Sequence, residues 1–195
     1  GYQHLVVDRG SIGPNAVLQT LRALEALEGE AAARAVRAAA GLPEAWPEGL
    51  IPEAWFVAIL RAVRERLPEA RAEAVLAESG ARTAAYVAEH RIPAPFRGLL
   101  SVLPQRWAVS LLLRAFQRHA WTFAGSGRFG VRASDAIALE ASPTSRPEAR
   151  APAAKACSYY AAAFEGLLGL AGPRVRVREV ACRATGAPEC RFAIT

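Results

Sequence analysis

The feature that most limits how this chain can fold is a set of four residues near its C-terminus. Cys157, Glu179, Cys182 and Cys190 are separated by 21, 2 and 7 residues, and no other cysteine occurs. Three thiols cannot all pair. With no secretory-type start ahead of them they are expected to be reduced, which favours metal binding or catalysis over a disulfide framework. Cys157, Tyr160, Phe164 and Leu167 or Leu168 recur at helical spacing, so a helix over Ala153–Leu170 would point Cys157 at the core. Gly172-Pro173 stops that helix, and Arg174–Cys182 and Cys190–Ile194 read as a terminal hairpin, with Gly186 and Pro188 at its tip. Strand alternation puts Val175, Val177 and Glu179 on one face and Arg174, Arg176 and Arg178 on the other. An ionised glutamate aimed at a valine-lined interior is costly unless a cation sits beside it. Cys190 shares a face with Phe192 and Ile194, whereas Cys182, three residues after Glu179, needs a bulge or strand end to turn it back. Three soft thiolates and one oxygen favour tetrahedral zinc, and four protein ligands leave no open position, so the zinc would be structural. The competing reading is that cysteine is among the residue types most often buried as plain core.

The preceding chain is mainly helical in pattern. Asn15–Glu28 carries Val17, Leu18, Leu21, Leu24 and Leu27 on one side, with Pro14 near its first turn and Gly29 after it. Glu30–Ala40 is alanine-rich and closes at Gly41, and Pro43 and Pro47 carry a loop to Pro52. Pro52 opens a helix that buries Trp55, Phe56, Ile59, Leu60 and Val63. The string Pro-Glu-Ala-Trp recurs at 43–46 and 52–55 but is too short to signal a solenoid. Glu69–His90 and Pro104–His119 complete the helical half, joined by a stiff connector, Arg91–Pro95. After His119 the pattern changes: Trp121–Phe123 is short and β-prone, Gly125–Gly127 turns, Ala136–Ala141 is a strand, and Ser142–Ala151 is a loop. The expected architecture is α+β in one domain, 1–195. A helical N-terminal half (1–119) packs on a four- to five-stranded antiparallel sheet formed within 120–195.

Composition narrows the function classes. The chain is 52% hydrophobic, yet runs such as Trp55–Leu60 and Ala108–Leu113 fall far short of the roughly 20 residues that span a bilayer, so a soluble protein is expected. Methionine is absent, so Gly1 is expected not to be the natural start. The formal charge of +6 rests almost entirely on arginine and invites an anionic partner. Arg61, Arg64, Arg66, Arg71 and Arg82 are scattered along helix faces without aromatic interleaving, which reads as solvated surface and not as a nucleic-acid patch.

Gly125-Ser-Gly127-Arg-Phe-Gly130 matches GxGxxG after a strand-like segment, but no helix is expected to start on the loop. It reads as a glycine turn. Three thiolates and a carboxylate also match iron–sulfur ligation less well than zinc. No nicotinamide, flavin or iron–sulfur apparatus is therefore evident.

The stretch Cys157-Ser-Tyr159-Tyr160, Phe164-Glu165-Gly166, Val177-Arg-Glu179-Val-Ala-Cys182-Arg-Ala-Thr-Gly186 and Cys190-Arg-Phe192 resembles the 4-vinyl-reductase domain family, a small-ligand-binding module. Gly13–Val17, His90–Pro93 and His119–Gly127 extend the resemblance, to its bacteriochlorophyll-biosynthesis branch, over nearly the whole chain. The resemblance implies a fold shared with TRAPP tethering subunits and aromatic-responsive sensors, zinc held by the residues matching Cys157, Glu179, Cys182 and Cys190, and a homodimer. It also implies a magnesium porphyrin ligand. A cytoplasmic carrier or chaperone would pass this porphyrin on, and the magnesium chelatase large subunit and the magnesium-protoporphyrin methyltransferase are the expected recipients. The branch carries the name divinyl-protochlorophyllide vinyl reductase, so an enzyme is the alternative, and a small-ligand-sensing module a third reading.

A porphyrin needs a flat apolar slot, an axial donor for magnesium and cations for its carboxylates. Trp107, Trp121, Phe123 and Phe129 are the slot candidates, His90 or His119 the axial donor, and Arg91 or Arg118 the carboxylate partner. Each has an ordinary alternative, since aromatics are commonly core and histidines near helix ends commonly cap.

Overall fold

The computed structural model describes residues 10–46, 48–133, 135–140 and 155–195. The expected loop 142–151 and the first two residues of the helix expected from Ala153 lie outside them.

The first helices follow the apolar spacing. Helix α1 (Asn15–Glu28) buries Val17, Leu21 and Leu24 and ends at Gly29, whose φ of 94° suits a residue without a Cβ. Leu27, expected on the same side, is half exposed, because the helix has by then run past the elements it packs on. Helix α2 (Glu30–Ala39) and helix α3 (Glu53–Arg66) follow, α3 burying Phe56, Ile59, Leu60 and Val63. A two-stranded antiparallel pair, β1 (Ser11–Ile12) with β2 (Ile51–Pro52), ties the start of α1 to the start of α3. The two tryptophans of the Pro-Glu-Ala-Trp strings, Trp46 and Trp55, meet edge to face at 5.7 Å, with the Arg37 guanidinium over Trp46. The repeat thus has a packing consequence although it builds no solenoid.

Helix α4 (Glu69–His90) is the longest element and the axis of the fold, packed against α1 on one side and α8 (Cys157–Leu168) on the other. Glycine permits the second approach. A Cβ on Gly80 would meet the Tyr159 carbonyl oxygen, and one on Gly166 would meet the Ala84 side chain. Buried hydroxyls thread all three helices. Thr20 Oγ1 donates to the Ala16 carbonyl at 2.6 Å and lies 2.8 Å from Ser79 Oγ, Thr83 Oγ1 donates to the Ser79 carbonyl, and the Tyr159 hydroxyl donates to Thr83 Oγ1. Burial raises the Tyr159 pKa above the ordinary phenol value, so the hydroxyl keeps its proton.

Beyond α4 the chain departs from expectation in two places. The connector is only Arg91–Pro93, and Ala94–Val102 is a helix, α5, with Pro95 in its first turn, where a missing N–H costs nothing. Helix α6 (Gln105–His119) then buries Ala108, Leu112 and Phe116, and the β-prone Trp121–Phe123 is helical, as α7 (Trp121–Ala124). The Ala124 amide donates to the Ala120 carbonyl and Thr122 Oγ1 to the His119 carbonyl, so the α6 hydrogen-bond ladder carries through the aromatic triplet. Local propensity loses there to continuation of an existing helix. Gly125, at φ 55°, ends it.

The sheet is antiparallel with strand order β3-β4-β6-β5, made of Arg128–Ala133, Ala136–Glu140, Cys190–Ile194 and Val177–Ala181 respectively. Ile137, Leu139 and Phe192 are fully buried, with Phe164 of α8 edge-on to Phe192 at 5.5 Å. The fold is α+β with a four-stranded antiparallel sheet, as the pattern predicts. No helix among the described residues is long and apolar enough to cross a membrane.

Candidate metal centre and aromatic cluster

Cys157 is the first residue of α8, Cys182 follows β5, and Cys190 opens β6. Their Sγ atoms all lie within 4.8 Å of one another, with 3.2 Å between Cys157 and Cys182, and all three residues are buried. Tetrahedral zinc with Zn–S bonds near 2.3 Å needs sulfurs about 3.8 Å apart, so small side-chain adjustments suffice. The register between β5 and β6 slips between Glu179, opposite Phe192, and Ala181, opposite Arg191. This bulge leaves Val180 outward and turns Cys182 inward three residues after Glu179.

The hairpin tip is a knuckle. The Cys182 carbonyl accepts hydrogen bonds from the Thr185 and Ala187 amides and the Thr185 hydroxyl, Gly186 takes the left-handed conformation, and the Arg183 amide donates to Cys190 Sγ at 3.4 Å. With hydrogen bonds from Cys157, Cys182 and the Arg183 amide, the Cys190 thiol is pulled down to about 3. Cys157 is pushed far up, chiefly because its proton is shared with Cys182 and Cys190, and secondarily by burial. The trio therefore surrenders one proton readily and the last with difficulty, as expected of three close thiols with no cation among them. A divalent ion would take the place of those protons, so the donor set fits a thiophilic metal.

Glu179 lies at the rim of this trio and is half-buried. Burial raises its pKa, the neighbouring Cys182 raises it further, and Lys155 opposes both. The three sulfurs form the compact group, and the carboxylate faces it through Cys182.

The residues proposed for the ligand slot divide. Phe123 and Phe129 meet edge to face at 5.4 Å and both lie against Phe164, at 6.0 and 5.9 Å. Phe116 and Tyr160 close the group around Phe164 at 6.0 and 6.1 Å, and the Tyr160 hydroxyl donates to the Phe123 carbonyl. Arg118 and His119 are exposed on the last turn of α6, directly before α7. Trp107 is 56% exposed at the other end of α6, about 18 Å from His119 along the helix axis, and cannot share one slot with it. His90 is exposed at the end of α4, stacked on Tyr86 at 4.3 Å with Nδ1 against the Tyr86 carbonyl, and Arg91 is the exposed residue that follows. His90 thus takes the capping role. The Trp121 side chain lies outside the described residues.

The GxGxxG loop runs from helix into strand, the reverse of a dinucleotide turn. The Ser126 amide and hydroxyl each donate to the Glu53 carboxylate at 2.8 Å, so the loop already holds an anion of this chain.

Comparison with known proteins places these observations. The 4-vinyl-reductase domain family matches residues 140–195, the span that carries α8, the hairpin and all three cysteines. The chain is 40% identical to the bacteriochlorophyll synthase 23 kDa chain of Cereibacter sphaeroides over 93% of its length and 88% of that relative's. It is 37% identical to the Rhodobacter capsulatus protein of the same description, over 96% and 88%. The chain belongs to the bacteriochlorophyll synthase 23 kDa chain family. Among solved structures, this family member shares its fold with H-NOX proteins. One, from work on heme distortion in that family, gives a TM-score of 0.57 at 15% identity, covering 94% of this chain and 93% of that one. An oxygen-binding H-NOX domain related to soluble guanylate cyclases gives 0.52 at 15% identity, over 94% and 93%.

Two features of this bacteriochlorophyll synthase 23 kDa chain relative have no counterpart in the sequence-based site. Phe164 is the hub of the aromatic cluster, and its place on the Cys157–Tyr160–Phe164 stripe was the signal for it. The second concerns arginine: residues 91–134 contain seven arginines and no acidic residue, a bias visible only when charge is counted by segment.

Proposed function

We propose that the chain binds a tetrapyrrole of bacteriochlorophyll biosynthesis, a magnesium porphyrin, and acts as its carrier or chaperone on the cytoplasmic side. Structural zinc at Cys157, Cys182 and Cys190, with Glu179 as fourth ligand, would pin α8 to the closing hairpin. The observation that carries the reading is the relationship to two bacteriochlorophyll synthase 23 kDa chains over nearly the full length. The H-NOX neighbours, whose descriptions speak of heme, agree with a fold suited to tetrapyrroles.

The aromatic cluster is the site we assign. Phe123 and Phe129 are only half-buried, so the flat face of a porphyrin can replace their mutual contact above Phe164, and His119 and Arg118 stand at the edge as axial donor and carboxylate partner. Titration with magnesium protoporphyrin is expected to shift its Soret band at micromolar protein, and His119→Ala to weaken binding at least tenfold. An unchanged spectrum defeats the reading.

A second reading, vinyl reduction, is favoured by the match to the 4-vinyl-reductase domain over 140–195. It needs an electron donor supplied from elsewhere. Anaerobic assay with divinyl substrate and reductants separates the two, because turnover by this chain alone would make it the enzyme. Delivery to the chelatase large subunit or the methyltransferase, and homodimerisation, belong to the carrier reading and are tested by pulldown with porphyrin present.

A further inference from the structure

The corner between α5 and α6 exposes apolar side chains that a solvated helix pair has no use for. Leu99 is 45% exposed, Val102 77% and Trp107 56%, while Leu100 is the one buried residue of α5. Val102 points away from Leu100 on helical geometry, and Leu99 flanks it. On α6, Trp107, Leu111, Arg114 and Arg118 follow one another at spacings of four, three and four, along the face opposite the buried Ala108, Leu112 and Phe116.

Charge marks the same region. The seven arginines of residues 91–134 stand without one carboxylate, and the chain's formal charge is +6, so the remainder is close to neutral. Arg128 and Arg132 are engaged by Glu140 and Glu189. Arg91, Arg97, Arg106, Arg114 and Arg118 make no ion pair with any described residue, and all but the half-buried Arg97 are exposed.

We infer that the α5–α6 corner docks on an anionic lipid surface, with Leu99, Val102 and Trp107 entering the headgroup boundary and the unpaired arginines contacting lipid phosphates. Apolar and indole side chains at the apex of a helical corner, ringed by cations that can snorkel, match an interfacial element. An acidic protein partner would account for the arginines but leaves Val102 without a role. A nucleic acid would call for aromatic stacking faces along a basic groove, where this corner offers one indole beside aliphatics. The inference does not rest on porphyrin binding, and its test contains no porphyrin, so either can fail alone.

The test is flotation of the full chain with vesicles of phosphatidylcholine alone and of phosphatidylcholine mixed with phosphatidylglycerol. The chain should float with the anionic vesicles at low salt, stay behind with the neutral ones, and be released as salt rises. Each arginine near the surface strengthens attachment roughly fivefold, so the double variant Arg106→Gln, Arg114→Gln should bind about thirtyfold more weakly. Val102→Asp should also weaken it while leaving the melting temperature unchanged, because that side chain supports nothing in the fold. Equal binding to both vesicle types, no flotation with either, or indifference to Val102→Asp would overturn the proposal. Capture by polyglutamate or single-stranded DNA without flotation would overturn it in favour of a macromolecular partner.

Discussion

At the scale of single residues, the decisive question is whether the sulfur trio holds an ion or is only core. The two cases separate on Cys182. Its carbonyl anchors the knuckle and its Sγ lies 3.2 Å from Cys157, so Cys182→Ala leaves the backbone hydrogen bonds and removes one ligand. If the trio binds zinc, the purified wild type should carry about one zinc per chain, chelator should lower its melting temperature by several degrees, and the variant should carry none and ignore chelator. If the trio were plain core, the substitution would cost about 1–2 kcal/mol for the lost sulfur, and chelator would leave both proteins unchanged. Much of this grouping was legible in sequence, because period-two alternation on β6 and the helical stripe on α8 each aim one cysteine inward. The bulge at Val180 was required by the three-residue offset between Glu179 and Cys182. The distance from Glu179 to the sulfurs was not legible, since it depends on how Lys155 and the sheet edge share the carboxylate.

At the scale of elements, the helices with a continuous apolar stripe (α1, α3, α4, α6) could be read almost to the residue, because burial of that stripe decides where they start and stop. Those that failed lacked it. Helix α5 buries only Leu100 and follows two prolines, so the pattern gives a connector, and α7 is a single turn whose residues favour strands in isolation. Helix crossings were also illegible. Glycine in the middle of a helix normally costs stability, and nothing in sequence says that Gly80 sits under the Tyr159 carbonyl. Gly80→Ala should gain up to about 1 kcal/mol of helix propensity and lose more than that in forcing α4 and α8 apart. The expected net is a destabilisation of about 1–3 kcal/mol in urea unfolding, with Gly98→Ala, whose Cβ meets no neighbour, neutral or stabilising. If Gly80→Ala proved as benign as Gly98→Ala, the close crossing would be wrong.

Across the whole molecule, the two ends of the helical layer differ in how firmly they are held, and the difference bears on how a flat ligand could enter. Helix α4 buries seven residues between α1 and α8 and shares hydroxyl bonds with both, whereas α5 buries one residue and α7 meets the rest mainly through Phe123. Local opening is cheapest where few apolar side chains are covered, so the segment 94–124 should open without unfolding α4 or α8. A porphyrin taking the place of the Phe123–Phe129 contact needs that opening, since Phe164 below is fixed on α8 against Phe192. Amide exchange should therefore be slowest in α4, α8 and β6, and faster by at least a hundredfold in α5 and α7. Magnesium protoporphyrin should slow exchange at α6, α7 and β3, because a ligand that binds only the closed arrangement stabilises it by its own binding free energy. Protection gained in α4 instead, with α6 and α7 unchanged, would move the ligand to the far side of the axial helix and away from the aromatic cluster.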